Sequence, residues 1–193
     1  MMKRILHAGK LFLLSTMLLT SNAQAAEVVL GKDDYINYHG VVEEGDSDKL
    51  IKILQDNPYI RNTMLIKSEG GNVIDSIASA NLITAFKLNV AAIGECLSAC
   101  TFLLFSGKQS YVAEGTKVGI HSPYYYANAQ YVYTDVGSPT YWKLYGMYLA
   151  GGMPSDKAIE LLNLTFEHKS LNMRFLTEQE LKYFGVKILR DKK

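Results

Sequence analysis

The chain has 193 residues and a mass of 21.5 kDa, with 48% hydrophobic and 20% charged residues and a formal net charge of +1. This length fits a single domain, and the apolar content excludes an intrinsically disordered chain. The charge excludes a strongly basic nucleic-acid-binding surface, and two cysteines are too few for a disulfide scaffold or for a zinc site built from cysteine alone. The function is therefore expected to depend on a local site.

Residues 1–25 have the pattern of a signal peptide. A positively charged start is followed by an apolar core at 11–19 and then by Ala23-Gln24-Ala25, which matches the small-x-small sequence before a cleavage site. The core is too short for a membrane anchor, which needs roughly 20 apolar residues. We expect cleavage after Ala25, leaving residues 26–193 as one domain.

The form of this leader is typical of bacteria and predicts a periplasmic protein. Cleavage removes three of the 20 basic residues and none of the 19 acidic ones, so the remaining chain has a net charge of −2. The periplasm is oxidising and lacks ATP and coenzyme A. We expect neither a cofactor nor an ATPase partner.

Predicted strands and helices alternate along the rest of the chain. Strands are predicted at 35–42, 63–67, 89–93 and 117–120, and helices at 46–58, 73–86, 98–105, 153–166 and 177–185. Asp46-Ser47-Asp48 is expected to cap the first helix. The alternation predicts an α/β domain with a mainly parallel sheet.

A segment at about 123–150 has a different composition. Eight of the 13 tyrosines and the only tryptophan, Trp142, lie there. Two interpretations stay open, a mobile or oligomer-contacting excursion and a binding groove lined by aromatic side chains.

Three loops follow three predicted strands and carry residues that are useful for catalysis. They contain Gly70-Gly71, Ser98 and His121. Because ligand sites of open α/β sheets lie at the carboxyl ends of the strands, these loops are expected to converge. Paired glycines let the backbone approach a ligand, a serine at a helix start has free N–H groups beside it, and a histidine in reach accepts its proton. Each feature alone is common in turns and caps, but the ordered set predicts a hydrolytic site.

Four segments resemble motifs of the Clp protease proteolytic subunit. S-E-G-G-N-V at 68–73 is similar to N-S-P-G-G-x-V, and S-A-C-T-F-L-L-F-S-G at 98–107 is similar to the nucleophile helix S-M-G-A-F-L-L-x-A-G. V-G-I-H-S-P at 118–123 and R-F-L-T-E-Q-E-L-K-Y-F-G-V at 174–186 resemble V-M-I-H-Q-P and R-F-L-S-x-x-E-A-x-x-Y-G-L. The similarity runs from about Tyr35 to Val186 and is greatest to a periplasmic branch of the Clp/crotonase superfamily with G-x-C-x-S-A-C around the serine.

The resemblance implies a spiral of β-β-α units with a mainly parallel sheet, and a role for each loop. Ser98 takes the place of the nucleophile and His121 that of the general base, while the N–H groups of Gly71 and Ala99 form the oxyanion hole. The family also implies peptide or protein substrates and a homo-oligomer formed through the segment after the histidine. A nucleic-acid partner and a metal site are not expected.

The third member of the triad departs from the family pattern. The family aspartate precedes R-F-L-S, and Met173 occupies that place here. Asn172 is the nearest side chain that could orient an imidazole, as Asn does in some cysteine proteases. A more distant acid, a water molecule and the absence of any third member stay open as alternatives.

The two cysteines lie on either side of Ser98. Cys96 and Cys100 are close enough in sequence for a disulfide at a helix start, and the alternative is a pair of buried thiols.

The leading hypothesis is a periplasmic, ATP-independent serine hydrolase, specifically a peptidase. The alternative is an inactive binding or scaffold protein on the same fold. An acyl-coenzyme A enzyme is disfavoured because export separates the protein from coenzyme A. A Ser–Lys dyad would need Lys67, Lys108 or Lys117 to reach Ser98.

Overall fold

The computed structural model of the chain describes residues 24–31, 33–60 and 63–190. The predicted signal peptide lies outside these residues except for Gln24 and Ala25. Ala25 pairs with Val41 in an isolated parallel bridge, and the Ala26 amide donates to the Val41 carbonyl. None of the helices in the described ranges is long and apolar enough to cross a membrane.

One large sheet forms the centre of the molecule. Its strands are β1 (Glu27–Leu30), β2 (Ile36–His39), β3 (Thr63–Ser68), β4 (Asn89–Leu97), β5 (Ser110–Ala113), β6 (Lys117–Ile120), β9 (Arg174–Phe175) and β10 (Val186–Leu189). The order β1-β2-β3-β4-β5-β10 is parallel except for the β1–β2 pair, and β6 pairs in parallel with β4 and antiparallel with β9. Strands β7 (Tyr124–Ala127) and β8 (Gln130–Tyr133) form a separate antiparallel hairpin.

In the described ranges, six α-helices accompany the sheet. They are α1 (Asp46–Asp56), α2 (Val73–Ala85), α3 (Cys100–Phe105), α4 (Pro139–Ala150), α5 (Ser155–Glu167) and α6 (Glu178–Tyr183). All six residues of α3 are buried, because this short helix packs against β3, β4, β5 and β6 as well as α2. The predicted α/β class with a mainly parallel sheet is confirmed.

The start of α1 differs from the expected cap. Gly45 is the N-cap, and the Asp75 carboxylate of α2 accepts hydrogen bonds from the Gly45 and Ser47 amides at 2.8 and 2.7 Å. Asp46 is fully buried and accepts the Tyr38 hydroxyl instead. The expectation that residues 46–48 cap the helix is therefore wrong, because a carboxylate from a neighbouring helix satisfies these donors.

Strand β4 is longer than predicted, and its extra length positions the serine loop. Val90 to Ala92 pair with β3 and β5, whereas Glu95 to Leu97 pair with β6. A register shift opposite Ile66–Ser68 separates the two parts of the strand. The strand thereby delivers Ser98 to the edge where β3 and β6 also end.

The tyrosine-rich segment folds as the β7–β8 hairpin followed by α4. Tyr141 and Tyr148 of α4 are buried, whereas Tyr125, Tyr126 and Tyr131 of the hairpin are exposed. This segment therefore contributes to both the core and the surface.

Candidate active site

The three predicted loops meet at one cavity. Gly70 and Gly71 follow β3, Ser98 follows β4, and His121 follows β6, and all four line a cavity of about 520 Å³. Its other lining residues are Val41, Glu69, Val73, Phe102, Pro123, Tyr124, Ser170 and Met173. The carboxyl ends of these strands converge as the sequence predicts.

Ser98 occupies a sharp turn between β4 and α3. Its φ is +55°, a left-handed conformation that costs a non-glycine residue energy unless its surroundings hold it. The Ser98 amide donates to the Gly119 carbonyl at 2.7 Å, and the Ser98 carbonyl accepts the Thr101 amide and hydroxyl. Within the described part of the chain, the Ser98 hydroxyl makes no hydrogen bond. The backbone is therefore fixed while the hydroxyl remains free to act.

The glycine pair packs directly against this turn. Gly70 has a φ of +94°, and a Cβ there would lie 2.6 Å from the Ser98 Cβ, so only glycine fits. Gly71 has a φ of +139°, and a Cβ there would overlap the Val42 carbonyl. Because neither glycine has a side chain, the backbone of this loop can pack directly against the turn that carries Ser98.

Among the described residues, two backbone N–H groups beside the serine have no acceptor. The Val42 amide donates to the Gly70 carbonyl, and the Val42 carbonyl accepts the Asn72 amide. In this parallel bridge the N–H of the intervening residue, Gly71, therefore points away from Val42. Among the hydrogen bonds of residues 24–31, 33–60 and 63–190, neither Gly71 nor Ala99 donates its amide to a protein acceptor. These are the two donors expected to form the oxyanion hole.

A disulfide joins Cys96 and Cys100, one residue before the end of β4 and at the first residue of α3. Both residues are completely buried. The bond spans the turn that carries Ser98, so it links the strand and the helix on either side of the candidate nucleophile.

His121 lies across the cavity and is 6% exposed. Its Nδ1 is 2.8 Å from the Ser122 carbonyl oxygen, and its ring stacks on Tyr124 with centroids 5.8 Å apart. Burial lowers the pKa of His121, and the hydrogen bond to Ser122 partly offsets this change. The ring is therefore neutral, and able to accept a proton, at neutral pH.

The candidate third member does not reach this ring. Asn172 ends a 3-10 turn at Ser170–Asn172 and is exposed; it does not line the cavity, and its side chain makes no hydrogen bond in the described structure. Met173 turns inward instead and packs its sulfur against Gly119. The structure does not bring Asn172 together with Ser98 and His121, because the turn directs that position to solvent.

The other hypotheses from the sequence find little support at the cavity. Lys67, Lys108 and Lys117 do not line it. No group of three or more His, Cys, Asp or Glu side chains in the described ranges could hold a metal ion. Sequence reasoning missed three residues at or beside the cavity, which are Tyr124, Ser122 and Ser170. Two of them had a signal in the sequence, because Ser122 directly follows His121 and Tyr124 belongs to the tyrosine-rich segment.

Comparison with known protein families and solved structures finds similar proteins. The Clp protease family model matches residues 22–138, which include Gly71, Ser98 and His121. Among solved structures, a serine-to-alanine mutant of the 1510-N membrane-bound stomatin-specific protease matches with a TM-score of 0.57 at 17% identity. The match covers 80% of this chain and 78% of that chain, and it shows a similar fold. None of the curated proteins matches the chain.

The family match supports a peptidase-type function. It spans more than half of the 193 residues and includes all three loops that meet at the cavity. The chain therefore belongs to the Clp protease family.

Proposed function

We propose that the protein is a serine peptidase in which Ser98 is the nucleophile and His121 is the general base. The observation that carries this proposal is the meeting of Ser98, at a φ of +55°, with His121 and two unpaired backbone N–H groups at one cavity. A free hydroxyl, a neutral imidazole and preorganised N–H donors are what acyl transfer requires.

The reaction follows from these positions. His121 Nε2 takes the Ser98 proton as the hydroxyl oxygen attacks the substrate carbonyl, and the N–H groups of Gly71 and Ala99 stabilise the resulting oxyanion. Each such donor contributes about 3 kcal/mol of transition-state stabilisation. The imidazolium then protonates the leaving amine, and water releases the acyl group by the same steps. Ser98 Oγ and His121 are not hydrogen bonded to each other in the described part of the chain, and catalytic hydrogen bonds of this kind often tighten only when substrate binds.

The lining of the cavity favours an apolar substrate side chain. Val41, Val73, Phe102 and Met173 contribute apolar side chains to its wall. Glu69 is exposed and is the one carboxylate among the lining residues. We expect peptides with an apolar residue next to the cleaved bond.

A binding or scaffold protein on the same fold is the second candidate. Met173 occupies the place of the family aspartate and lines the cavity, so this position supplies no carboxylate for the imidazolium. Loss of an orienting acid typically costs on the order of 10⁴ in turnover. Weak or absent catalysis is the outcome that this candidate predicts.

Labelling with a fluorophosphonate probe separates the two candidates. The purified protein without residues 1–25 is compared with Ser98→Ala and with Ser110→Ala, a control in which another serine hydroxyl, bonded to the Leu104 carbonyl, is removed. Labelling of the wild type and of Ser110→Ala, but not of Ser98→Ala, supports the peptidase. Absence of labelling at every pH between 5 and 9 supports the scaffold.

We propose that the protein acts in the periplasm, without an ATPase, after cleavage following Ala25. The sequence of residues 1–25 supports this location. Mass spectrometry of the periplasmic fraction should find an N-terminus at Ala26. Recovery of the intact chain from membranes would contradict it.

We also propose that the protein is a homo-oligomer that uses the β7–β8 hairpin. The exposed rings of Tyr125, Tyr126 and Tyr131 support this, because tyrosine buries a large area at interfaces and keeps a polar atom for a partner. Light scattering at tens of micromolar should give a mass above that of one chain. A monomer there would favour the groove interpretation of the tyrosine-rich segment.

A further inference from the structure

We propose that the backbone carbonyl of Ser122 replaces the third member of the triad and holds the His121 ring with Nε2 as its unprotonated nitrogen. Ser122 is then a positioning residue that acts through its main chain. The catalytic meaning of this inference rests on the proposed peptidase function, but the state of the ring can be measured without any activity.

The hydrogen bond itself fixes the tautomer. His121 Nδ1 lies 2.8 Å from the Ser122 carbonyl oxygen. A carbonyl oxygen has no hydrogen to give, so Nδ1 must carry the proton and donate it. In a neutral ring the other nitrogen, Nε2, then has a lone pair, which is the form that a general base needs.

The carbonyl is held in place from two directions. The Ser122 hydroxyl donates to the Thr134 carbonyl at 2.7 Å, just beyond β8, and the Ser122 amide donates to the His168 carbonyl at 2.6 Å. Ser122 is only 1% exposed. Because the loop is tied to two separate segments, the acceptor facing His121 cannot turn away without breaking buried hydrogen bonds.

No side chain in the described ranges competes for Nδ1. Met173 carries only a thioether sulfur, a weak acceptor that packs against Gly119, and Asn172 is exposed outside the cavity. The Ser122 carbonyl is the one hydrogen-bond partner of the His121 ring among the described residues. Stacking on Tyr124 limits rotation of the ring and so complements the hydrogen bond.

A carbonyl differs from a carboxylate in one respect that matters for rate. It selects the tautomer and the ring orientation, as an aspartate does, but it carries no full negative charge to stabilise the imidazolium. The arrangement therefore predicts a base that is correctly oriented and only modestly strong.

The test is nitrogen-15 NMR of the histidine rings in the folded protein at a pH where His121 is neutral. The His121 signals are identified by their loss in His121→Gln. We expect the tautomer with the proton on Nδ1, which is the minor form of free histidine. A ring protonated on Nε2, or one that averages between both forms, would overturn the proposal.

Two variants test the part played by Ser122. Ser122→Ala removes the bond to Thr134, so the Nδ1–H form should lose population and labelling of Ser98 should slow roughly three- to tenfold. Ser110→Ala removes a similar serine-to-carbonyl bond elsewhere and should change neither quantity. An unchanged tautomer and rate in Ser122→Ala would overturn the part of the proposal in which the Ser122 hydroxyl, through its bond to Thr134, holds the carbonyl in place.

The outcomes also separate the two proposals. An Nδ1–H ring in a protein that is never labelled supports the positioning by Ser122 and contradicts the peptidase. A labelled protein with an Nε2–H ring supports the peptidase and contradicts the positioning by Ser122. If Ser122→Ala does not fold, the tautomer of His121 in the wild-type protein still tests whether the Ser122 carbonyl holds the ring.

Discussion

The two sides of the cavity are built in different ways. On the serine side, strand β4, helix α3, the glycine pair and a buried disulfide hold Ser98 and the two free N–H groups. On the histidine side, one hydrogen bond to a main-chain oxygen and one stacked tyrosine hold His121. The family aspartate has no counterpart at Met173.

The difference indicates which part of the chemistry the protein supports best. In the proposed reaction, the serine side stabilises negative charge on an oxygen by backbone dipoles, which need no titratable group. The histidine side must stabilise a positive imidazolium, and burial without a carboxylate disfavours that charge. Under the proposed mechanism, the cavity is therefore better equipped to hold an oxyanion than to complete repeated proton transfers.

The largest effect should come from removing the base. His121→Ala should slow fluorophosphonate labelling of Ser98 on the order of 10³-fold, since a positioned general base contributes about 10²–10⁴. His39→Ala, which changes an exposed histidine outside the cavity, serves as the control and should keep the wild-type rate. Equal rates in both variants would mean that the histidine side contributes nothing.

Disturbing the serine side should have the next largest effect. In Gly71→Ala the added Cβ overlaps the Val42 carbonyl, so the loop must move and labelling should slow about 10²-fold, the usual loss for one oxyanion donor. Gly115→Ala is the matched control, because Gly115 has a φ of +81° but open space around it. Urea unfolding should show that both variants lose stability, and kinetics should show that only Gly71→Ala loses labelling.

Removing the disulfide should weaken the brace of the serine loop. We expect Cys96→Ala/Cys100→Ala to lower the free energy of unfolding by about 2 kcal/mol, as estimated for a short closed loop. Labelling of Ser98 should slow as well. The same loss should appear when the wild type is reduced, while the double variant should not respond to reductant. Two thiols that alkylate in unreduced, denatured protein would contradict the bond.

Supplying an acid should bring the histidine side closer to the family pattern. Met173→Asp places a carboxylate in the lining shared with His121, so the pKa of His121 should rise because the negative charge favours the imidazolium. Labelling at neutral pH should quicken by about tenfold. Met173→Asn, of similar size but uncharged, should leave the pKa low. If Met173→Asn and Met173→Asp give the same pKa of His121 and the same labelling rate, a negative charge at position 173 does not affect the His121 ring.

The smallest effect concerns pH in the wild type. Because burial lowers the pKa of His121, the labelling rate should stay constant near neutrality and fall only below pH 6.5, the ordinary pKa of histidine. The free energy of unfolding should also decrease as the pH falls. As the pH drops through 6.5 the unfolded chain binds a proton that the folded chain resists, so folding weakens. His121→Gln should remove this acid dependence in urea unfolding measured at pH 5 to 7.

Local sequence patterns correctly predict the α/β class, most of the strands that lead to the cavity, and the meeting of Gly71, Ser98 and His121 there. These depend on local patterns: short apolar runs, glycine pairs and the order of loops after strands. The same reasoning missed the cap of α1 from Asp75, the hairpin in the tyrosine-rich segment and the extension of β4 to Leu97. Contacts between residues far apart in the chain decide each of these.

The hydrogen-bond partner of His121 could not be predicted from local patterns. From the sequence, Asn172 is the nearest polar side chain to the place of the missing acid, but a turn exposes it. The acceptor that the ring uses is a main-chain oxygen, and every residue has one, so no side-chain pattern could single out Ser122. Its position depends on Thr134 and His168, which meet it only because the hairpin and the end of α5 pack beside the cavity.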